Sequence, residues 1–137
     1  MIVVDTNVIA YLHIRTSHSE DADRALARDP DWAAPYLWRS EFRNVLTRYL
    51  VSGLMDLSTA LEYFRDAQLL LQSRESHVDS AKVLSLAAQS GCSAYDCEFV
   101  ALAQELGVPL VTSDRRLAAK FKPTTIHLRE FVRARRP

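Results

Sequence analysis

The chain is predicted to be an α/β protein with a central parallel sheet and helices on both faces. Short apolar runs at residues 2–4, 32–34, 108–112 and 124–128 alternate with longer stretches of helical periodicity. That alternation is the mark of parallel β-α units. Two of the runs end on an acid, in Val3-Val4-Asp5 and in Val111-Thr112-Ser113-Asp114. The length of 137 residues, with only three Gly and five Pro, suits one core rather than several. Residues 1–137 are therefore expected to form a single domain.

Ile2-Val3-Val4 has the short, wholly apolar character of a buried strand, and a helix is expected over residues 6–12. Ser19, followed by Glu20 and Asp21, opens a second helix, with the acids placed where the helix dipole favours them. Trp32-Ala33-Ala34 is a short strand ended by Pro35. Over residues 36–51, Trp38, Phe42, Val45, Leu46 and Tyr49 recur at helical spacing, and Gly53 marks the stop. Residues 58–71 form a further helix with Ser58 as its expected cap. Ser76-His77-Val78 is a brief extended piece. Residues 79–88 and 93–106 are helices closed by Gly91 and Gly107. Residues 108–112 are a strand with Pro109 near its start, where a missing N–H is tolerated. A short helix over 116–121, a last strand over 124–128 and a basic helix or tail complete the order.

No apolar run approaches the ~20 residues a membrane span needs, and no basic segment followed by an apolar stretch opens the chain. A cytoplasmic protein with no membrane association is expected. Cys92 and Cys97 read as reduced, small interior residues, since no second Cys or His pair completes a zinc site. The net charge is zero but polarised. From Arg115 onward there are eight basic residues and one acid, a net +7, which leaves −7 on residues 1–114. Such a basic end suits an anionic partner or a solvated tail.

Four acids stand out. Asp5 either caps the first helix or lines a site at the carboxyl edge of the sheet, where open α/β sheets bind ligands. Glu41 falls on the apolar stripe of its helix, between Leu37 and Val45, where it either reaches solvent, pairs with an Arg such as Arg48, or faces inward. Asp96 completes a Ser93-x-x-Asp96 capping pattern, and an acid in that first turn also projects toward the strand ends. Asp114 either caps the short helix after it or joins the other three. If the helix from residue 36 crosses the carboxyl edge, all four converge. Their mutual repulsion then calls for a cation, and oxygen-only donors suit Mg²⁺ or Mn²⁺ rather than zinc.

The segments VVDTNVIAYL, WRSEFRNVL and SAYDCEFVALAQELGVPLVTSD resemble the PIN domain, and most of all the VapC-type toxins of bacterial toxin–antitoxin pairs. The resemblance covers essentially the whole chain. It implies a PIN-like fold and a metal-dependent ribonuclease in which Asp5, Glu41, Asp96 and Asp114 are the catalytic and metal-holding acids. Thr6, Asn7, Thr112 and Ser113 would be supporting polar groups. It further implies Mg²⁺ or Mn²⁺ as cofactor, RNA hydrolysed to a 5′-phosphate and a 3′-hydroxyl, a homodimer, and a cognate antitoxin whose C-terminal segment covers the site and its groove. Arg115, Arg116 and the basic tail are candidates for RNA phosphates. With few aromatics available, recognition of structured RNA by shape is expected.

Glu98 departs from the resemblance and is expected to face solvent. A catalytically silent, partner-binding PIN-like protein is the alternative. A Mg-dependent receiver-like phosphotransfer domain fits less well, because Lys120 and Lys122 lie beyond the strand. No G-x-G-x-x-G is present for a dinucleotide.

Overall fold

A computed structural model describes residues 1–134. Arg135 and Arg136, the last cations of the basic run, lie outside the described residues. Five strands, β1 (Ile2–Val4), β2 (Trp32–Pro35), β3 (Glu75–Ser76), β4 (Leu110–Thr112) and β5 (Thr125–His127), form one sheet in the order β3-β2-β1-β4-β5. Every pairing is parallel. Residues of β1, β2 and β4 are buried throughout, as strands covered on both faces must be.

Among the described residues eight helices join and follow these strands: α1 (Thr6–His13), α2 (Ser19–Arg28), α3 (Leu37–Val51), α4 (Leu57–Leu70), α5 (Ser80–Ser90), α6 (Ala94–Leu106), α7 (Arg115–Lys120) and α8 (Leu128–Arg133). Strand order steps outward from β1 to β2 to β3, then jumps back across β1 to β4 and β5. Right-handed crossovers put helices of the outward run on one face and those of the return run on the other. The packing agrees: α1 meets α2, α3 and α4, while α6 meets α5 and lies against β1, β2 and β4. Val3, Val4, Val111, Trp38, Phe42 and Phe99 fill the core.

The expected elements are present, with local corrections. Asp56, not Ser58, caps α4, accepting from the Thr59 N–H at 2.8 Å. Thr59 rather than Ser58 thus supplies the bonded position, and the helix begins earlier. The extended piece is Glu75–Ser76 instead of Ser76–Val78, because Glu75 is fixed from α3: Trp38 Nε1 donates to it at 2.7 Å and Arg39 makes two bonds of 2.6 and 2.7 Å. Ser19 begins α2, but its hydroxyl ties the preceding loop, accepting from Thr16 N–H and donating to the Ile14 carbonyl. Among the described residues no helix is long and apolar enough to cross a membrane.

Candidate active site

The reversal in strand order falls between β1 and β4, so the crevice at their carboxyl ends is where an open sheet of this kind offers a site. Asp5 leaves β1 there and Asp114 leaves β4 two residues past its end. Asp5 is only 7% exposed. Its Oδ1 accepts from the Thr6 N–H at 2.8 Å, which caps α1, and its Oδ2 accepts from Thr112 Oγ1 at 2.7 Å and Asn7 Nδ2 at 3.3 Å. Thr112 Oγ1 in turn accepts from the Asp114 N–H at 3.0 Å, and Asn7 Oδ1 accepts from the Ser113 N–H at 3.1 Å. Thr6, Asn7, Thr112 and Ser113 thus clamp the two strand ends together around one carboxylate. Asp5 caps α1 and also stands at the carboxyl edge of the sheet, so the two readings of it do not exclude one another.

Glu41 faces inward. It is half-buried and accepts from Thr6 Oγ1 at 2.8 Å; Arg48 does not pair with it. Ser93 Oγ accepts from the Asp96 N–H at 3.0 Å, which leaves the half-buried Asp96 carboxylate free at the start of α6. Asp114 caps α7, one carboxylate oxygen accepting from the Arg116 and Leu117 N–H groups at 2.9 and 3.1 Å.

Electrostatics link the four into one field. Burial pushes the Asp5 carboxyl up to about 7, against the opposing Thr112 hydroxyl, with the charges of Glu41 and Asp96 adding to the rise. Burial also raises Glu41, with Asp96 and Glu98 contributing, and raises Asp96, with Asp114 contributing. None of the four forms an ion pair among the described residues. Nor are any three His, Cys, Asp or Glu side chains there close enough to enclose an ion by themselves. The result is an open, uncompensated cluster of carboxylates rather than a closed cage. The donors are all oxygen, and Mg²⁺ characteristically takes one or two carboxylates and keeps several waters, so the residues suit such an ion.

The two arginines after Asp114 part company. Arg116 lines a cleft of about 520 Å³ together with Asp96, Asp114 and Lys120. Arg115 turns to a neighbouring cleft of about 370 Å³ with Lys122, His127, Arg129 and Arg133.

The PIN domain profile matches residues 2–122, a span that holds all four acids. The chain belongs to the PIN domain family. Ribonuclease VapC3 of Pyrobaculum aerophilum is 32% identical over 124 residues, 88% of this chain and 94% of its own. The crystal structure of PAE2754 from Pyrobaculum aerophilum shares the fold with a TM-score of 0.76 at 23% identity, covering 96% of this chain and 92% of its own. That of FitAcB from Neisseria gonorrhoeae does so at 0.69 and 19%, covering 93% and 98%. The receiver-like alternative is thereby set aside.

Three residues of this PIN domain take up positions that the sequence reading does not predict. Glu98 does not simply face solvent: it is half-buried, its carboxyl is raised by burial, and its charge reaches Glu41. It sits about one turn from Ala94 on α6, which packs on both α5 and the sheet, and it lines a cleft with Tyr36 and His77. His127 accepts from the Arg129 N–H through Nδ1 at 3.2 Å, so Nε2 is the donor to the Ser113 carbonyl at 3.1 Å. Tyr11 takes the Ser113 hydroxyl at 3.5 Å. Both brace the loop that carries Asp114, and neither has a sequence signal, because each contact joins segments distant in the chain.

Proposed function

We propose that this PIN domain is a divalent-metal-dependent ribonuclease of the VapC type, the toxin of a type II toxin–antitoxin pair. The observation that carries the reading is the buried, unpaired Asp5 at the switch point of the sheet, with Glu41, Asp96 and Asp114 in its field. Similarity to Ribonuclease VapC3 over nearly the full length of both chains supports the substrate class.

Asp5, Glu41, Asp96 and Asp114 would hold Mg²⁺ or Mn²⁺ between them, one or two directly and the others through its waters, and the ion would supply positive charge for the phosphoryl oxygens and acidify a water. The chain's own residues do the rest. Thr112, Asn7 and the Thr6 N–H fix the Asp5 carboxylate, and Thr6 Oγ1 fixes Glu41. Arg116 and Lys120, beside Asp96 and Asp114, bind a phosphate of the RNA strand. Water adds to phosphorus, the bond to O3′ breaks, and the leaving oxygen takes up a proton, which gives a 5′-phosphate and a 3′-hydroxyl.

An apolar groove of about 510 Å³ between α1 and α3, lined by Tyr11, Ile14, Val45, Tyr49 and Leu54, begins at Asn7, a residue of the acid cluster. It suits the C-terminal segment of a cognate antitoxin. A homodimer working in the cytoplasm completes the reading.

Cleavage of RNA with and without a chelator tests it. Asp5→Asn and Asp96→Asn are each expected to abolish cleavage and keep the fold by circular dichroism. Mg²⁺ is expected to raise the melting temperature of the unaltered chain, a stabilisation that a silent, binding-only protein would lack. Cleavage unchanged in both variants, with contaminating nuclease excluded, would overturn the mechanism.

A further inference from the structure

On the β2–β3 side of the acids, the same edge of the sheet leaves an aromatic pair in the open. Tyr36 directly follows β2 and His77 directly follows β3, and the parallel register that pairs Pro35 with Ser76 brings their rings together. The ring centroids are 4.7 Å apart with 41° between the planes. Neither ring serves the core: Tyr36 is 41% exposed and His77 is exposed as well. The Arg39 guanidinium lies 5.6 Å from the Tyr36 ring centroid, anchored by its two bonds to Glu75. The Tyr36 N–H donates to the Ser76 carbonyl at 3.1 Å, which fixes the backbone beneath the pair.

These rings border a cleft of about 350 Å³ that is also lined by Ser76, Ser80, Val83 and Glu98. Glu98 stands two residues after Asp96 on α6 and its charge reaches Glu41, which sets the cleft beside the acid cluster. A rigid aromatic surface held open beside a phosphodiester site, with a carboxylate at its side, has the chemistry to receive a base.

We propose that this cleft is a nucleobase subsite, in which the base of a single-stranded nucleotide next to the scissile phosphate stacks on the Tyr36–His77 pair while Glu98 accepts hydrogen bonds from its edge. Guanine fits best, because its N1–H and N2–H groups are adjacent donors that match the two oxygens of one carboxylate. Adenine and cytosine offer a single amino group, and uracil an N–H flanked by carbonyls that a carboxylate repels. The inference rests on the ribonuclease reading and names the part of the substrate that reading leaves open. It also replaces the expectation of shape recognition: the number of aromatics in the sequence is small, but two stand where a base can use them.

The test uses the full chain with Mg²⁺ and short single-stranded RNAs varied one nucleotide at a time around the cleaved bond. Guanine is expected to be favoured at one flanking position. Tyr36→Ala and His77→Ala are each expected to raise KM about 5- to 30-fold, more than they lower kcat, and Tyr36→Phe to restore most of the loss. Glu98→Gln is expected to flatten the preference for guanine. Equal cleavage of all four bases, or an unaltered KM in both alanine variants, overturns the subsite.

Binding gives a second readout. A guanine-containing tetranucleotide added to the Asp5→Asn chain is expected to shift the His77 ring protons in NMR spectra, and no shift overturns the proposal. If the unaltered chain cuts no RNA and the shift persists, the ribonuclease reading fails and the subsite stands. If it cuts RNA with a pattern blind to these variants, the subsite fails and the reading stands.

Discussion

A carboxyl that titrates near 7 instead of near 3.8 makes the stability of the protein depend on pH in an unusual direction. The folded state holds the Asp5 proton more tightly than the unfolded chain does. The stabilisation is complete below the ordinary aspartate pKa and is lost as pH rises through about 7. Glu41, Asp96 and Glu98, all raised, act in the same sense. The metal-free chain is therefore expected to melt at a lower temperature at pH 8 than at pH 5, reflecting a loss of stability from Asp5 of at most roughly 3 kcal/mol over that span. Mg²⁺ is expected to recover the difference mainly at the alkaline end, and Asp5→Asn to flatten both effects. Differential scanning fluorimetry across pH, with chelator and with Mg²⁺, measures it. At this scale Asp5, Asp114 and Glu41 are legible because each breaks a local pattern, a charge that follows an apolar strand or interrupts an apolar helix stripe, whereas Asp96 is legible because it completes a capping pattern. Glu98, Tyr36 and His77 break none, and their meaning depends on which strand lies next to which.

Helices carry clear signals in this chain, and the shortest strand carries almost none. The caps Asp5, Ser93 and Asp114 and the stops Gly91 and Gly107 follow from backbone geometry alone. Strand β3 is two residues long and exists because α3 holds it. Glu75 there takes three hydrogen bonds, one from the Trp38 indole and two from Arg39, and its carboxyl is held below its usual range by the Arg39 guanidinium. Glu75→Ala leaves a buried indole N–H without a partner, a loss expected to cost about 2–3 kcal/mol in urea denaturation. Glu75→Gln, which can still accept from Trp38, is expected to lose less. Because β3 presents His77, the same substitution is a check on whether the aromatic pair depends on this anchor.

Across the whole molecule, the charge polarity of the sequence becomes a shape. The acids gather at the carboxyl edge; Arg116 and Lys120 of α7 share a cleft with Asp96 and Asp114, and Arg115, Arg129 and Arg133 line the next one. Arg116→Ala and Lys120→Ala are expected to weaken RNA binding. Each is expected to reduce the slope of log affinity against log salt by about 0.7 for every single-strand phosphate it leaves without a cation. Filter binding to the Asp5→Asn chain over a salt series reads this directly. The groove between α1 and α3 opens toward a second exposed apolar surface, where Val51, Leu54 and Leu57 stand in solvent at the turn into α4. Leu54→Asp is expected to relieve inhibition by the cognate antitoxin and leave cleavage intact, which a cleavage assay with added antitoxin would show.

The strand order carries one more consequence. Strand β1 is threaded between β2 and β4, and its terminal acid is fastened by Thr112, 107 positions downstream. Thr6 and Asn7 hold Asp5 from its own end of the chain, but the Thr112 hydroxyl that ties it to β4 is made only after β2 and β3. The acid edge is thus assembled late, by a pairing distant in sequence and correspondingly slow to form. Under the proposed ribonuclease reading, the acid edge would stay unassembled until the return strands of the sheet have paired.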